Sequence, residues 1–220
     1  MCADAMSCNF PLAILAKAPI PGLAKTRLIP ALGAKGAALL HERLLRHTLE
    51  VALASTAAKS ITLWTALDHC HPVFQELADD HGIMLRPQPE GDLGVRIHRA
   101  LHAMPEPGLL IGTDCPVITP SLLAHCHLAL DQADVAMLPA EDGGYGLIGM
   151  QRADPRLFTG IDWGSARVMA QTARKAAALG YRLTCLETIW DLDRPADLTR
   201  LSAYHPQLLA GLENTNSDED

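Results

Sequence analysis

Seven short apolar runs, each set off by a turn or an amphipathic stretch, govern what this chain can fold into. They are FPLAILAKA (10–18), SITLWTAL (60–67), IMLRPQ (83–88), GLLIGTD (108–114), DVAMLPA (134–140), GLIGM (146–150) and YRLTCLE (181–187). Most are continuous rather than alternating, the pattern of strands covered on both faces. Between them the apolar spacing changes to steps of three and four. Ala37, Leu40, Leu44, Thr48 and Val51 share one helical face, as do Leu123, Cys126, Leu130 and Ala133, and then Met169, Thr172, Ala176 and Leu179. Thr119 and Pro120 supply an N-cap and a first-turn proline for the second of these helices. Strands alternating with helices predict an α/β domain with a mostly parallel sheet. Two strand-like runs follow one another without a helix between 134 and 150, so an antiparallel strand is expected there.

A chain of 220 residues, 49% hydrophobic, has enough apolar material for one substantial core. One domain over 10–205 is expected, between a flexible N-terminus (1–9) and a polar acidic tail (206–220). The net charge is -7, but without Glu213, Asp218, Glu219 and Asp220 the body holds 18 basic against 21 acidic residues. That balance excludes the broad basic face of a nucleic-acid binder, so any anion site must be local. No Lys or Arg precedes the first apolar run, Ala13 to Ala16 is too short for a signal core, and no run approaches a membrane span. Cys2, Cys8, Cys70, Cys115, Cys126 and Cys185 are scattered rather than set out as a disulfide framework. A cytoplasmic protein with reduced thiols is the expectation.

In open sheets of this kind ligands bind beyond the carboxyl ends of strands. That rule selects residues 17–27, 88–94 and 112–116. The first segment, KAPIPGLAKTR, places Lys17, Lys25 and Arg27 around a proline-stiffened loop containing Gly22. Two ammonium groups and a guanidinium able to make paired contacts suit a polyphosphate; the rival reading is a solvated basic loop. It is not a P-loop, because Ala24 precedes the lysine and Pro19 stands where the first glycine belongs. In LLIGTDCP, Asp114 ends an apolar run, where it could ligate Mg²⁺ beside phosphate or cap the helix begun near Pro120. In WDLDRPADL, Asp191 and Asp193 follow the last run two residues apart, pointing the same way in extended chain. Their rival role is to cap a helix starting at Pro195.

Two further segments bear on a ligand. Gln88 follows a strand and can donate and accept, as the edge of a nucleobase requires, while Gly91 and Gly94 allow close backbone approach. Asp142-Gly143-Gly144-Tyr145 reads as a tight turn presenting an acid and an aromatic. Gly144, Gly146 and Gly149 match G-x-G-x-x-G, but an apolar strand follows where a helix should open, which argues against dinucleotide binding. His69-Cys70-His71 and His125-Cys126-His127 lack the spacing of a closed zinc site. No nucleophile-elbow serine is present, and Trp163 and Trp190 border the candidate segments.

As an ordered set, K-x-P-x-P-G-x-x-K-T-R-L (17–28), G-D-L-G (91–94), G-T-D-C-P (112–116), D-G-G-Y (142–145) and D-x-D (191–193) resemble the bacterial nucleotide-diphospho-sugar transferase-like group of the GT-A superfamily. That group is similar to the guanylyltransferases of molybdopterin and deazaflavin cofactors. The resemblance spans roughly residues 10–203 and implies a single-domain, three-layer α/β/α Rossmann-like GT-A fold. It further implies a nucleotide site built from the first loop with Ala16, Lys17, Gly22, Lys25 and Arg27, and with Gln88 and Gly94 near the base. Asp142, Gly143, Gly144, Tyr145 and Trp163 would contact substrate. Asp114, with Asp191 or Asp193, would hold Mg²⁺ or Mn²⁺. Gly146 stands where the group carries a second aromatic, and Trp163-Gly164-Ser165 replaces W-S-T, so the acceptor pocket is expected to differ. Three functions fit this pattern: glycosyl transfer from a nucleotide-sugar to a small-molecule acceptor, nucleotidyl transfer from an NTP to a phosphorylated acceptor, or nucleotide sensing without turnover.

Overall fold

The structure, a computed structural model, describes residues 9–212. Cys2, Cys8 and the acidic end of the tail lie outside the described residues. All seven apolar runs form strands of one sheet: β1 (Leu12–Lys17), β2 (Ile61–Ala66), β3 (Met84–Pro87), β4 (Gly108–Ile111), β5 (Val135–Pro139), β6 (Tyr145–Met150) and β7 (Leu183–Cys185). Their order is β3-β2-β1-β4-β6-β5-β7. β6 runs antiparallel to both β4 and β5, and the remaining pairings are parallel. The antiparallel member expected within 134–150 is therefore β6, inserted between β4 and β5.

Alternation along the strands divides the core into two layers. Leu12, Ile14, Leu109, Ile111, Ala136, Leu138 and Leu147 face one side, where α1 (Ile29–Leu53), α2 (Pro72–His81) and α4 (Pro120–Ala129) cover them. Ala13, Leu110, Val135, Met137, Ile148 and Met150 face the other, under α3 (Leu93–His102) and α5 (Val168–Ala178). This is the expected α/β/α sandwich. A third apolar cluster joins α1 to Trp190, Leu192, α6 (Asp197–Tyr204) and α7 (Pro206–Leu209). Leu208 and Leu212 are buried in it, so the packed domain runs past the boundary expected at residue 205.

α1 begins eight residues before the first member of its predicted stripe. Pro30 sits in its first turn, where a missing N–H costs nothing, and Gly33 (φ 69°) kinks the chain before the regular helix. The basic segment at 25–27 is consequently not a free loop but the run-in to a helix. Among the described residues Cys70, Cys115, Cys126 and Cys185 are free thiols, and no helix is long and apolar enough to cross a membrane.

β6 carries the 142–145 turn at its start, so its burial on both faces fixes that turn. Leu147 and Ile148 are both fully buried and point into opposite layers. Leu147→Ala and Ile148→Ala are each expected to cost about 2–5 kcal/mol in denaturant unfolding, the range for cavity-forming core truncations. A near-neutral result for either would mean that one face of β6 is not packed.

Candidate functional site

β1 delivers Ala16 and Lys17 to the carboxyl rim of the sheet, and the following loop turns at Gly22 (φ 82°), where an L side chain would be strained. Leu23 N and Ala24 N both donate to the Ile20 carbonyl at 3.0 Å, closing the turn. The chain then places Lys25 in the left-handed region (φ 48°, ψ 42°), which non-glycine residues seldom occupy. The Lys25 side chain is only 5% exposed; its ammonium pairs with Asp114 Oδ1 at 2.5 Å and donates to the Leu192 carbonyl. Arg27, which stays exposed, pairs with the Asp193 carboxylate. The solvated-loop reading fails for Lys25.

Neither acid takes its rival capping role, and α6 has no side-chain cap. Thr119 caps α4, accepting from Leu122 N at 3.2 Å, which leaves Asp114 uncommitted to that helix. Ahead of α6, Asp197 accepts from Asp193 N at 3.0 Å and Arg194 N at 2.7 Å, so Asp193 is held by its backbone and its carboxylate is free for Arg27. Leu192 N donates to the Asp114 carbonyl at 2.8 Å, fastening the 191–193 segment beside the end of β4. Crowding at the pocket floor acts to raise the Asp114 pKa, but the charge and hydrogen bond of Lys25, with help from His41 and Lys17, outweigh it and hold the carboxyl below its ordinary value. Asp191 goes the other way. Desolvation, then repulsion from Asp142 with smaller effects of Asp193 and Asp114, pushes it up to about 6.

These groups enclose a cavity of about 600 Å³. Of the residues predicted from sequence, Ala16, Lys17, Lys25, Arg27, Gln88, Asp114, Asp142, Gly144, Tyr145, Trp163, Asp191 and Asp193 line it. Gly22, Gly94 and Gly143 do not, and their expected substrate contacts are replaced by positioning roles. Gly22 makes the loop turn. A Cβ on Gly94 would meet the Phe158 carbonyl at 2.8 Å and the Trp163 ring at 2.9 Å, so this glycine lets α3 dock beneath Trp163. At Gly143 (φ 89°) a Cβ would lie 2.2 Å from the Ala166 carbonyl, and the Gly143 carbonyl accepts from Met169 N at 2.8 Å. The 142–145 turn is thereby pressed onto the start of α5.

The neutral wall has its own order. Gln88 Nε2 donates to the carbonyls of Trp64 (2.9 Å) and Ala16 (3.3 Å), which consumes both amide hydrogens and leaves Oε1 as an acceptor. Tyr145 and Trp163 meet edge to face, with centroids 6.5 Å apart and an interplanar angle of 77°. The Tyr145 hydroxyl and Trp163 Nε1 are buried without hydrogen-bond partners, and burial raises the phenol pKa. Thr172 lies close by; its hydroxyl donates to the Val168 carbonyl at 2.9 Å and keeps acceptor capacity toward the phenol.

Among the lining residues not expected from the sequence are His41, Arg96, Leu23 and Leu93. His41, 4% exposed, holds Nε2 at 3.0 Å from the Lys17 carbonyl, and its Nδ1 is buried without a partner. Burial lowers its pKa despite the nearby Asp114. Position 41 lies on the apolar face set out by Ala37, Leu40 and Leu44, where a histidine reads as core. Arg96 brings a guanidinium into the cavity while Nε donates to the Gly91 carbonyl at 3.2 Å. Leu23 and Leu93, both exposed, flank the mouth. The two His-Cys-His triplets lie apart from this cavity: His69 Nδ1 is 2.7 Å from the Thr65 hydroxyl, and His127 stacks on Phe10.

Among the described residues no three His, Cys, Asp or Glu side chains are arranged to hold a metal ion by themselves. Asp114, Asp142, Asp191 and Asp193 nevertheless share one pocket wall. That hard-oxygen donor set fits a Mg²⁺ or Mn²⁺ ion taking the rest of its shell from phosphate and water, not a closed protein cage.

Among curated proteins none matches the chain. The structure of a proposed nucleotide-diphospho-sugar transferase from Desulfovibrio desulfuricans G20 is similar at TM-score 0.78 and 25% identity, covering 92% of this chain and 91% of that one. A CMP:2-keto-3-deoxy-manno-octonic acid synthetase complexed with CTP matches at TM-score 0.56 and 14% identity, over 90% and 99% of the two chains. A nucleotidyl transferase from Methanothermobacter matches at TM-score 0.58 and 14% identity, over 90% and 98% of the two chains. The transferase resemblance and fold expected from the ordered motifs are thus borne out. The profile of one bacterial family covers residues 43–165, more than half of the chain, and includes the G-D-L-G, G-T-D-C-P and D-G-G-Y segments. The chain belongs to that family, DUF2064, described as an uncharacterized protein conserved in bacteria.

Proposed function

We propose that the protein is a divalent-metal-dependent transferase that uses a nucleotide-sugar donor and a small-molecule acceptor. The observation that carries this reading is the meeting, in one cavity at the carboxyl ends of β1 and β4, of Lys17, Lys25, Arg27 and Arg96 with Asp114, Asp191 and Asp193. Basic groups would hold the diphosphate and stabilise charge gathering on it as the anomeric C–O bond breaks and the nucleoside diphosphate leaves. Asp114, with Asp191 or Asp193, would hold a divalent ion, which when bound supplies further neutralisation of the leaving phosphates. The aromatic wall of Tyr145 and Trp163, opposite the charged rim, supplies apolar surface and two buried polar atoms for a sugar or acceptor. The similarity to the Desulfovibrio protein supports a nucleotide-sugar as donor.

A second reading, attack of a phosphorylated acceptor on the α-phosphate of an NTP with release of pyrophosphate, is favoured by the four basic groups, more than a diphosphate requires. The two separate cleanly by product. Purified protein with Mg²⁺ should release nucleoside diphosphate from a nucleotide-sugar in the presence of an acceptor panel. Pyrophosphate release from NTPs with sugar phosphates would instead establish nucleotidyl transfer, and nucleotide-dependent thermal stabilisation without either product would leave a sensor.

Asp114→Asn is expected to lower turnover by about 100-fold or more, the scale of removing one electrostatic stabiliser. It should also abolish the extra thermal stabilisation that Mg²⁺ adds to nucleotide. Undiminished Mg²⁺-dependent stabilisation in the variant would remove Asp114 from the metal site. Gly143→Ala, which meets the Ala166 carbonyl and a positive φ, should cost at least about 1 kcal/mol of stability. Its effect on donor affinity should exceed that of Gly22→Ala, whose Cβ meets nothing within 4 Å. Equal effects would show that the 142–145 turn does not shape the pocket.

A further inference from the structure

The charges facing the cavity are balanced. Among the described residues that line it, Lys17, Lys25, Arg27 and Arg96 are basic, and Asp114, Asp142, Asp191 and Asp193 are acidic. Two of the basic groups rest on two of the acids: Lys25 on Asp114 Oδ1 at 2.5 Å, and Arg27 on the Asp193 carboxylate. The Lys25 ammonium also donates to the carbonyl of Leu192, between the paired acids. Asp142 and Asp191 make no ion pair with a basic side chain among the described residues; Asp142 accepts only from Gly144 N, at 2.8 Å. The groups best placed to grip phosphate are therefore occupied by the groups best placed to grip a cation.

This arrangement penalises either ion arriving alone. A divalent ion approaching Asp114 meets an ammonium already seated there, and Arg27 beside it. A bare polyphosphate drawing Lys25 away exposes Asp114, with three more carboxylates, to its own negative charge. When the two arrive joined, the losses cancel. The acids exchange their basic partners for the metal, and Lys25 and Arg27 exchange carboxylate oxygens for phosphate oxygens, with similar charge-assisted hydrogen bonds on both sides of the exchange. We propose that Lys25 and Arg27 are exchangeable counter-ions that make the pocket select a preformed metal–polyphosphate complex over either the free cation or the free anion. The proposal rests on the reading of the pocket as a nucleotide-phosphate site and specifies the form in which the ligand is taken.

The exchange predicts opposite signs for two affinities, which a purely structural lysine does not. Free Mn²⁺ is followed by its electron paramagnetic resonance signal in equilibrium with the full chain, and inorganic tripolyphosphate serves as a probe that needs no knowledge of the base. Lys25→Met removes the charge at similar length. It is expected to tighten binding of Mn²⁺ alone by about tenfold, the effect of deleting one like charge at close range in a partly hydrated site. The same variant should bind the Mn²⁺–tripolyphosphate complex about tenfold more weakly. Arg27→Gln, at an exposed position where folding is not at stake, should move both affinities in the same two directions by less. The exchange is overturned if both variants leave Mn²⁺ affinity unchanged or weaker, or if the natural chain binds tripolyphosphate in chelator as tightly as its Mn²⁺ complex. Should the natural chain bind neither the complex nor its parts, the nucleotide-phosphate reading falls with it. Binding of the complex without the gain in Mn²⁺ affinity sinks the exchange alone.

Discussion

The ammonium of Lys25 joins three stretches of chain that are remote in sequence. With its side chain 5% exposed, it has lost most of its hydration, and two contacts replace it: the carboxylate of Asp114 and the carbonyl of Leu192. The first belongs to the end of β4 and the second to the segment before α6, while Lys25 itself closes the loop after β1. The Leu192 N–H to Asp114 carbonyl bond completes the tie. A buried cation needs compensation within a few ångströms, so these three segments cannot separate without exposing it or leaving Asp114 unpaired. The left-handed backbone at Lys25 follows from the same demand, since it turns the side chain inward before α1 begins.

Sheet topology brings the remaining wall into range. β6 enters antiparallel between β4 and β5, so the turn that precedes it opens at the same rim as the carboxyl ends of β1 and β4. That turn is clamped from two directions. Glu141 N donates to the Ile189 carbonyl at 3.0 Å and Ile189 N to the Pro139 carbonyl at 2.8 Å, drawing the approach to Asp191 alongside it. On the other side Gly143 contacts the start of α5 through backbone. One inserted strand thus sets the acid of residue 142 near Asp191 and the aromatic of residue 145 against Trp163; burial first, and then repulsion from Asp142, raise the Asp191 pKa.

Strands and layers were legible in the sequence because burial on both faces leaves an unbroken apolar run, a signal that needs no knowledge of neighbours. The charged half of the site was legible for a related reason: Asp114, Asp191, Asp193 and the first loop all sit where a run ends, and ligands bind where parallel strands end. Three kinds of feature were hidden. The pairing of Lys25 with Asp114 joins residues 89 positions apart, and no local pattern specifies it. His41 was masked because it occupies an apolar helical face, where a histidine reads as core. Gly22, Gly94 and Gly143 read as ligand contacts because sequence does not distinguish a glycine that admits a ligand from one that admits a neighbouring carbonyl or ring. The domain boundary was set at 205 on polarity, whereas Leu208 and Leu212 continue the α1 cluster with isolated apolar residues in an otherwise polar stretch.

Unsatisfied polarity is concentrated in the same place. Four buried side-chain polar atoms in the described residues lack a partner, and three of them, His41 Nδ1, Tyr145 Oη and Trp163 Nε1, belong to residues of this one cavity. Leaving such a group unpaired costs about 1–3 kcal/mol, so each is open to a partner entering the cavity. They also divide the cavity. His41 lies behind Lys17 at the charged end, whereas Tyr145 and Trp163 form the aromatic end, and the unpaired indole can only donate. With Nε2 giving its hydrogen to the Lys17 carbonyl, His41 Nδ1 can only accept, so it calls for a hydrogen-bond donor, whereas the indole calls for a hydroxyl or carbonyl oxygen. Gln88 Oε1 adds a further acceptor to the cavity wall, since its amide hydrogens are spent on the Trp64 and Ala16 carbonyls.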